Sequence, residues 1–489
     1  MNRFLGRERE LGLLDELWDS STAQMLILYG RRRVGKTALL SHWMKASQKR
    51  TLYWVATPSS AANQLRSFSQ AVFNFADPNA PATEDFTYGS WEQAWQQVAW
   101  LSQSERLALF IDEFTYLLAV TPELAGRLQH FWDSTLSRSN LVLVLCGSHL
   151  GKMKREFLSY QAPLYGRASA KIHLPPLSFG ITRAYFPKYS AVDRVAIYSI
   201  FGGIPAYWER IDQRQSVSKN ILQQLLRPNN LMQSEPRLLL QDFISDPHNY
   251  VAILDAIANG ARTPKEIEMV TGLPNVQVPK YLSVLIDAGF VKRMTSLTSK
   301  PNSRSGRYHI IDPYLRFYYR FLEKRQDQIA LGIQEPALAE ISKHMLDFIG
   351  THTWEEICRE WVLRAGVNGT LPFMPDEVGS AWNKQTQIDV AGINRMEKTL
   401  ILGECKWGQN AIERPVLSNL VEKADQIVPP QGKWRVYFLG FSRIGWTSGA
   451  YAFRETIEKM PVSGNNWQSA GMNLLDLEQV DLDLEKWSG

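Results

Sequence analysis

The stretch Gly30-Arg31-Arg32-Arg33-Val34-Gly35-Lys36-Thr37 constrains this chain more than any other. It follows the apolar run Met25-Leu26-Ile27-Leu28-Tyr29, which suits a buried parallel strand. It precedes Ala38-Leu39-Leu40-Ser41-His42-Trp43, which suits a helix. Strand, glycine-bounded loop and helix in that order make a phosphate-cradling loop, with backbone N–H groups around the β-phosphate and the helix N-terminus adding partial positive charge. Lys36 would then reach the β- and γ-oxygens, and the Thr37 hydroxyl would ligate Mg²⁺. The implied ligand is a nucleoside triphosphate. ATP with Mg²⁺ is expected, since no guanine-reading motif is visible.

A second motif supports the first. Leu107-Ala108-Leu109-Phe110-Ile111 ends in Asp112-Glu113, placing Asp112 at the C-terminal edge of a buried strand, where open α/β sheets bind ligands. Asp112 would hold Mg²⁺ through water, and Glu113 would polarise the attacking water. A further strand, 141–146, delivers Gly147-Ser148 to the same edge, where Ser148 would sense the γ-phosphate. Pro163-Leu164-Tyr165-Gly166-Arg167 offers Arg167 either as an arginine finger, in cis or from a neighbouring subunit of a homo-oligomer, or as a surface salt bridge. Upstream, Phe4-Leu5-Gly6-Arg7-Glu8 sits where such ATPases grip the base.

At 489 residues the chain is too long for one core. We expect four parts: an ATPase domain over 1–200, a helical region and winged helix over 201–325, a helical linker over 326–345, and an α/β domain over 346–489. Cys146, Cys358 and Cys405 are scattered thiols without a C-x-x-C pair, and no apolar stretch is long enough to span a bilayer. A cytoplasmic protein without membrane contact is therefore expected. The net charge of +5 is modest, so its distribution matters more than its total.

The charge gathers in the second part. Residues 251–259, then 264 onward behind Thr263 as N-cap, then 278–288, read as three helices, and Gly289 stops the third. Phe290–Arg293 and Tyr308–Ile311 alternate as a hairpin. Three helices and a hairpin form a winged helix, whose third helix would enter a major groove of DNA. Lys292, Arg293, Lys300, Arg304 and Arg307 are the expected phosphate contacts, with a basic, flexible tip at 299–304. The alternative is a winged helix used for packing or oligomerisation.

In the last part, fourteen residues separate Asp389, in Ile388-Asp389-Val390, from Glu404 in Gly403-Glu404-Cys405-Lys406-Trp407. Strand periodicity puts Glu404 and Lys406 on one face, and pairing of the two strands would bring Asp389 to them. Two carboxylates suit a hard divalent cation, and an ammonium would orient water or stabilise developing negative charge. Glu355, on a helix upstream, is a further candidate ligand.

The chain resembles two known families. F-L-G-R-E, G-R-R-R-V-G-K-T, F-I-D-E-F, C-G-S and P-L-Y-G-R, in this order, resemble the archaeal-type ATPases among STAND and AAA+-like P-loop proteins over roughly residues 1–320. Trp354-Glu355, Ile388-Asp389-Val390 and Gly403-Glu404-Cys405-Lys406-Trp407 resemble the PD-(D/E)XK nucleases over about 345–445, in the form found as a C-terminal domain of unknown function on such ATPases. Gln387 departs from that family, which often has Glu there. The resemblance implies an α/β protein in which an ATPase governs DNA binding and a Mg²⁺-dependent nuclease site. The alternative is a STAND-like switch whose last domain binds a partner or nucleic acid without cutting.

Overall fold

Three apolar runs become the centre of a parallel sheet. Strands β1 (Gln24–Tyr29), β2 (Thr51–Val55), β3 (Leu107–Asp112), β4 (Leu141–Gly147) and β5 (Ala170–His173) lie in the order β2-β3-β4-β1-β5. β3 and β4 are buried along their whole length, as a parallel strand covered by helices on both faces must be. Leu26, Leu28 and Val144 face one layer, while Met25, Ile27 and Leu143 face the other. The phosphate loop, Asp112 and Ser148 all lie at one edge, because each follows or ends a parallel strand. These features come from a computed structural model that describes residues 4–241, 246–299 and 305–488.

The first layer does not end at the ATPase sheet. Its core runs on through Phe201 and Tyr207 into a three-helix unit and the helix after its hairpin, where it includes Leu254, Leu282 and Tyr314. The three helices are His248–Ala258, Pro264–Thr271 and Val278–Asp287. The second opens on the expected Thr263 cap, completed by Glu266 as a capping box, and closes on Gly272 in the left-handed conformation. Strands β6 (Val291–Met294) and β7 (Arg307–Ile310) pair antiparallel behind them, completing a winged helix. The segment expected as a linker is helical at Gln326–Ala330 and Glu335–Phe348. Its Ile329, Ala337 and Ile341 are buried in the same core.

The last module is a mixed five-stranded sheet. Strands β8 (Glu377–Trp382), β9 (Gln387–Asn394), β10 (Thr399–Lys406), β11 (Trp434–Ser442) and β12 (Trp467–Asp476) lie in the order β12-β11-β10-β9-β8. β9 runs antiparallel to its neighbours β8 and β10, and β10, β11 and β12 run parallel. The helices Glu355–Val367 and Leu477–Lys486 cover one face through Ile357, Trp361 and Val480. Arg414–Ile427 and Ser448–Lys459 cover the other through Leu417 and Ile457.

The described part of the wing packs on the C-terminal module, the role given above as the alternative to DNA contact. The chain leaving β6 lies along β8: the Leu297 amide donates to the Ser380 carbonyl at 3.0 Å, and the Trp382 amide donates to Ser296 Oγ at 2.8 Å. Leu297 is buried in the core of the C-terminal module. The wing thus caps an edge strand that would otherwise present unpaired backbone groups. Lys300 and Arg304 lie outside the described residues.

A buried ion cluster fixes the C-terminal module to the centre. Asp481, fully buried, receives Arg194, itself 5% exposed, and Arg183 at 2.7 Å. Asp481→Ala should lower stability by about 3–5 kcal/mol, since it strands the buried Arg194 charge. Arg214→Ala, which removes an exposed pair with Asp212, should leave it essentially unchanged. Urea unfolding followed by circular dichroism would separate the two outcomes, and equal midpoints would show that the cluster does not hold the modules together.

Candidate functional site

At the sheet edge the phosphate loop turns through two left-handed residues, Arg33 (φ 68°) and Gly35 (φ 98°), before the helix Lys36–Ser47 begins. Gly30 is packed against Leu174: a Cβ there would meet the Leu174 carbonyl at 2.5 Å. The Lys36 ammonium is 5% exposed and donates to the carbonyls of Gly30 (2.9 Å) and Arg31 (3.1 Å). Thr37 Oγ1 donates to Asp112 Oδ2 at 2.7 Å, and Tyr53 OH donates to the same oxygen at 2.7 Å. Burial works against the Asp112 charge. Hydrogen bonds from Cys146, Thr37, Tyr53 and the Glu113 amide outweigh it and hold the carboxyl below its ordinary range.

Glu113 itself has φ 53°, a left-handed conformation that costs a non-glycine residue about 1–3 kcal/mol and is concentrated at functional sites. Ser148 Oγ donates to Glu113 Oε2 at 2.8 Å. The residue expected to sense the γ-phosphate therefore orients the expected base.

Beside the loop lies a cleft of about 320 Å³, lined by Phe4, Leu5, Val34, Leu177, Tyr185 and Pro205. Arg7 donates to the carbonyls of Pro175 (2.6 Å) and Val34 (3.3 Å), so it braces this cleft against the loop. The position, size and apolar walls fit a nucleobase. Tyr185 and Leu177 were not singled out from sequence, because they belong to a segment without a motif and reach the cleft only through the fold.

The loop arginines take unexpected partners. Arg31 forms an ion pair with Asp312 and donates to Tyr207 OH at 3.0 Å. Arg33 pairs at 2.8 Å with Glu235, which is 1% exposed and also accepts from Tyr207 OH at 2.7 Å. Arg32 Nη2 donates to Tyr116 OH at 2.6 Å. Asp312 also caps the helix Pro313–Phe317, and Arg316 on that helix forks onto Glu356 at 2.9 and 3.2 Å. Burial disfavours the Glu356 charge, yet Arg316 and Lys292 hold its pKa at about 2.

Arg167 corrects another expectation. Its guanidinium forks onto Asp133 at 2.9 and 3.3 Å and bonds the carbonyls of Pro163 and Tyr165, so it is the surface salt bridge rather than a finger in cis.

In the C-terminal module β9 and β10 pair antiparallel as far as Val390 and Gly403. Immediately beyond, the Cys405 amide donates to Asp389 Oδ2 at 3.0 Å, and Glu404 accepts from Lys406 (2.6 Å) and Lys423 (2.9 Å). Burial, then the Glu404 charge, pushes the Asp389 carboxyl up. Glu355 is paired with Arg359, and burial together with Asp389 raises its pKa to about 8. Arg359 Nε donates to the Asp389 carbonyl at 3.0 Å. Asp389, Glu404 and Lys406 do come together, with Lys423 as a second ammonium that the sequence pattern did not reveal. Among the described residues no group of three or more His, Cys, Asp or Glu side chains is arranged to hold a metal ion.

The expected DNA contacts are placed differently. Lys292 lies 3.8 Å from Glu356, and Arg307 donates to Gln387 Oε1 at 2.8 Å while stacking over Trp382. Both face the C-terminal module. Gln387 is thereby turned toward Arg307.

Residues 4–211 match the model of an ATPase domain found predominantly in Archaea. This segment is an archaeal-type P-loop ATPase domain. Residues 318–417 match a family of archaeal and bacterial proteins of unknown function. An uncharacterized protein of Methanocaldococcus jannaschii is 28% identical over 405 residues, covering 83% of this chain and 87% of that one. An uncharacterized ATP-binding protein of the same organism is 45% identical over 42 residues, 9% of this chain and 71% of its own length. Among solved structures, a Walker-type ATPase of Pyrococcus abyssi superposes with a TM-score of 0.50 at 17% identity, over 65% of this chain and 96% of that one. That likeness extends to the fold. No helix among the described residues is long and apolar enough to cross a membrane.

Lys36→Ala should weaken nucleotide binding by about tenfold or more, since a charge-assisted contact worth at least about 1.4 kcal/mol is lost. Glu113→Gln should bind normally and fail to turn over. Fluorescent-nucleotide anisotropy and phosphate release measure the two steps, and normal turnover in Glu113→Gln would contradict the role given to Glu113.

Proposed function

We propose that the chain is an ATP-driven regulator of a nucleic-acid phosphodiesterase carried on its own C-terminal module. In the ATPase site, Thr37 and Asp112 would hold Mg²⁺, which supplies charge neutralisation at the phosphates. Lys36 leaves its loop carbonyls for the β- and γ-oxygens. Glu113, oriented by Ser148, takes the proton of the attacking water.

One observation carries the phosphodiesterase reading: Asp389, Glu404 and Lys406 converge where β9 and β10 part. Burial first, and then the Glu404 charge, raises the Asp389 carboxyl, and a divalent cation would offset both. Such a cation supplies an activated water and neutralises charge on the scissile phosphate. Lys406 and Lys423 would turn from Glu404 to the incoming phosphate. Glu355, which feels the Asp389 charge, would complete the ligand set if released from Arg359.

The regulatory half of the proposal rests on a continuous set of contacts. Arg31 of the phosphate loop holds Asp312, the helix it caps carries Arg316, and Arg316 holds Glu356 beside Glu355. A nucleotide that draws Arg31 toward its phosphates would disturb that path.

A specific observation favours a second reading, a switch that binds without cutting. Both Glu404 oxygens are already paired with lysines, and no three-group metal cluster is preformed. The two readings part on cleavage. On single-stranded, duplex and branched DNA with Mg²⁺ or Mn²⁺, wild type should cleave. Asp389→Ala and Glu404→Ala should lose metal and cleavage together, and Lys406→Ala should lose cleavage while keeping metal. Intact substrates in every nucleotide state would leave the switch.

A further inference from the structure

A cleft of about 190 Å³ opens between the winged helix and the helix Glu335–Phe348. Through Arg262, His309, Thr351 and His352 it shares walls with an inner pocket of about 30 Å³. That inner pocket ends on Glu355 and Arg359, and Arg359 is bonded to the Asp389 backbone.

The charge of this cleft is poorly compensated. Arg262, Arg316 and Arg320 line its outer part, against Asp347 as the single carboxylate among its described lining residues. Arg316 is spent on Glu356, although its buried Nε has no hydrogen-bond partner. Arg320 is held by a neutral acceptor, Asn259 Oδ1, at 3.0 Å. Among the described residues the Arg262 guanidinium makes no hydrogen bond or ion pair. The local field is correspondingly positive: burial, then Arg262, Lys292 and Arg316, pushes His309 down to about 3. Tyr308, half-buried, adds aromatic surface to the same wall, and Phe348 is buried behind it.

Cationic side chains beside aromatic rings in a narrow groove are what a single nucleic-acid strand uses, with phosphates on the cations and bases against the rings. A duplex needs an open face, because its bases are read through grooves about 12 and 6 Å wide. A cleft of about 190 Å³ between two modules is too narrow for a duplex and has room for part of one strand only. We propose that it takes a single nucleic-acid strand, with Arg262 and Arg320 on its phosphates, and directs that strand toward Glu355 and the Asp389, Glu404 and Lys406 site, the inner pocket of about 30 Å³ widening to admit it. The substrate of the C-terminal module is then single-stranded or has a single-stranded end. The direction of travel rests on the phosphodiesterase reading, whereas strand binding stands without it.

The test uses the full-length protein in EDTA, a labelled single-stranded oligonucleotide and the matching duplex, with affinities measured by anisotropy over a salt series. Wild type should prefer the single strand. Arg262→Gln with Arg320→Gln should raise the Kd at least tenfold and make the logarithmic salt slope shallower by about 1.4, at ~0.7 per phosphate released. ATP hydrolysis should be unchanged in that variant, which shows that it folds. Arg262→Lys with Arg320→Lys should restore most of the affinity. An unchanged slope in the glutamine variant, or a duplex bound as tightly as the single strand, overturns the proposal. If wild type binds the strand as described yet cleaves nothing when Mg²⁺ or Mn²⁺ is added, the phosphodiesterase reading fails and the strand site stands. If cleavage occurs and is indifferent to Arg262 and Arg320, the strand site fails alone.

Discussion

The ion pairs that the phosphate loop makes with the modules behind it hold this architecture together. Arg31 to Asp312 and Arg33 to Glu235 join the loop to two segments more than two hundred residues away in sequence, and Tyr207 bridges both pairs. Glu235 is almost fully buried, so it needs its arginine: removing one partner of a buried pair costs about 3–5 kcal/mol, mostly from the charge left behind. A triphosphate is the competing anion for the same guanidinium groups. The loop that binds nucleotide is therefore also the joint on which the downstream modules are seated.

From that joint the contacts reach the C-terminal carboxylates through one short helix. Asp312 caps Pro313–Phe317 and faces the loop, while Arg316, about one turn on, faces Glu356. Glu356 begins the helix whose neighbouring residue, Glu355, feels the charge of Asp389. Physical continuity is a route and not yet a coupling, because coupling requires that nucleotide favour one of two arrangements of this path. The docked wing belongs to the same joint. Leu297, Arg307 and Lys292 all face the C-terminal module, so a shift of the winged helix would change the walls of the cleft that opens toward Glu355.

Much of the ATPase site was legible because its signals are local. A strand, a glycine-bounded loop and a helix are adjacent in sequence, and Asp112-Glu113 ends its own strand. The convergence of Asp389, Glu404 and Lys406 was legible for a similar reason, since a short hairpin connection lets period-two geometry place them. What sequence did not reveal was the partner of each charge. Arg167 looked as free to reach a phosphate as Arg31, yet Asp133 takes it, and nothing near either residue in sequence announces that pairing. The basic wing read as a DNA contact from its charge, and nothing in sequence announced that the chain leaving β6 also lies along the open edge of β8. Gln387, a departure from the nuclease family's usual Glu, accepts from Arg307, a pairing made across two modules that sequence did not reveal.

Nucleotide binding at the loop should be transmitted through Asp312 and Arg316 to the C-terminal carboxylates. Hydrogen exchange of residues 313–317 and 355–367, with and without a non-hydrolysable ATP analogue, tests it most directly. The account predicts that nucleotide changes protection in both segments of the wild-type protein. In Asp312→Asn the change in 355–367 should be lost while nucleotide is still bound. Protection of 355–367 that is indifferent to nucleotide in the wild-type protein would contradict it.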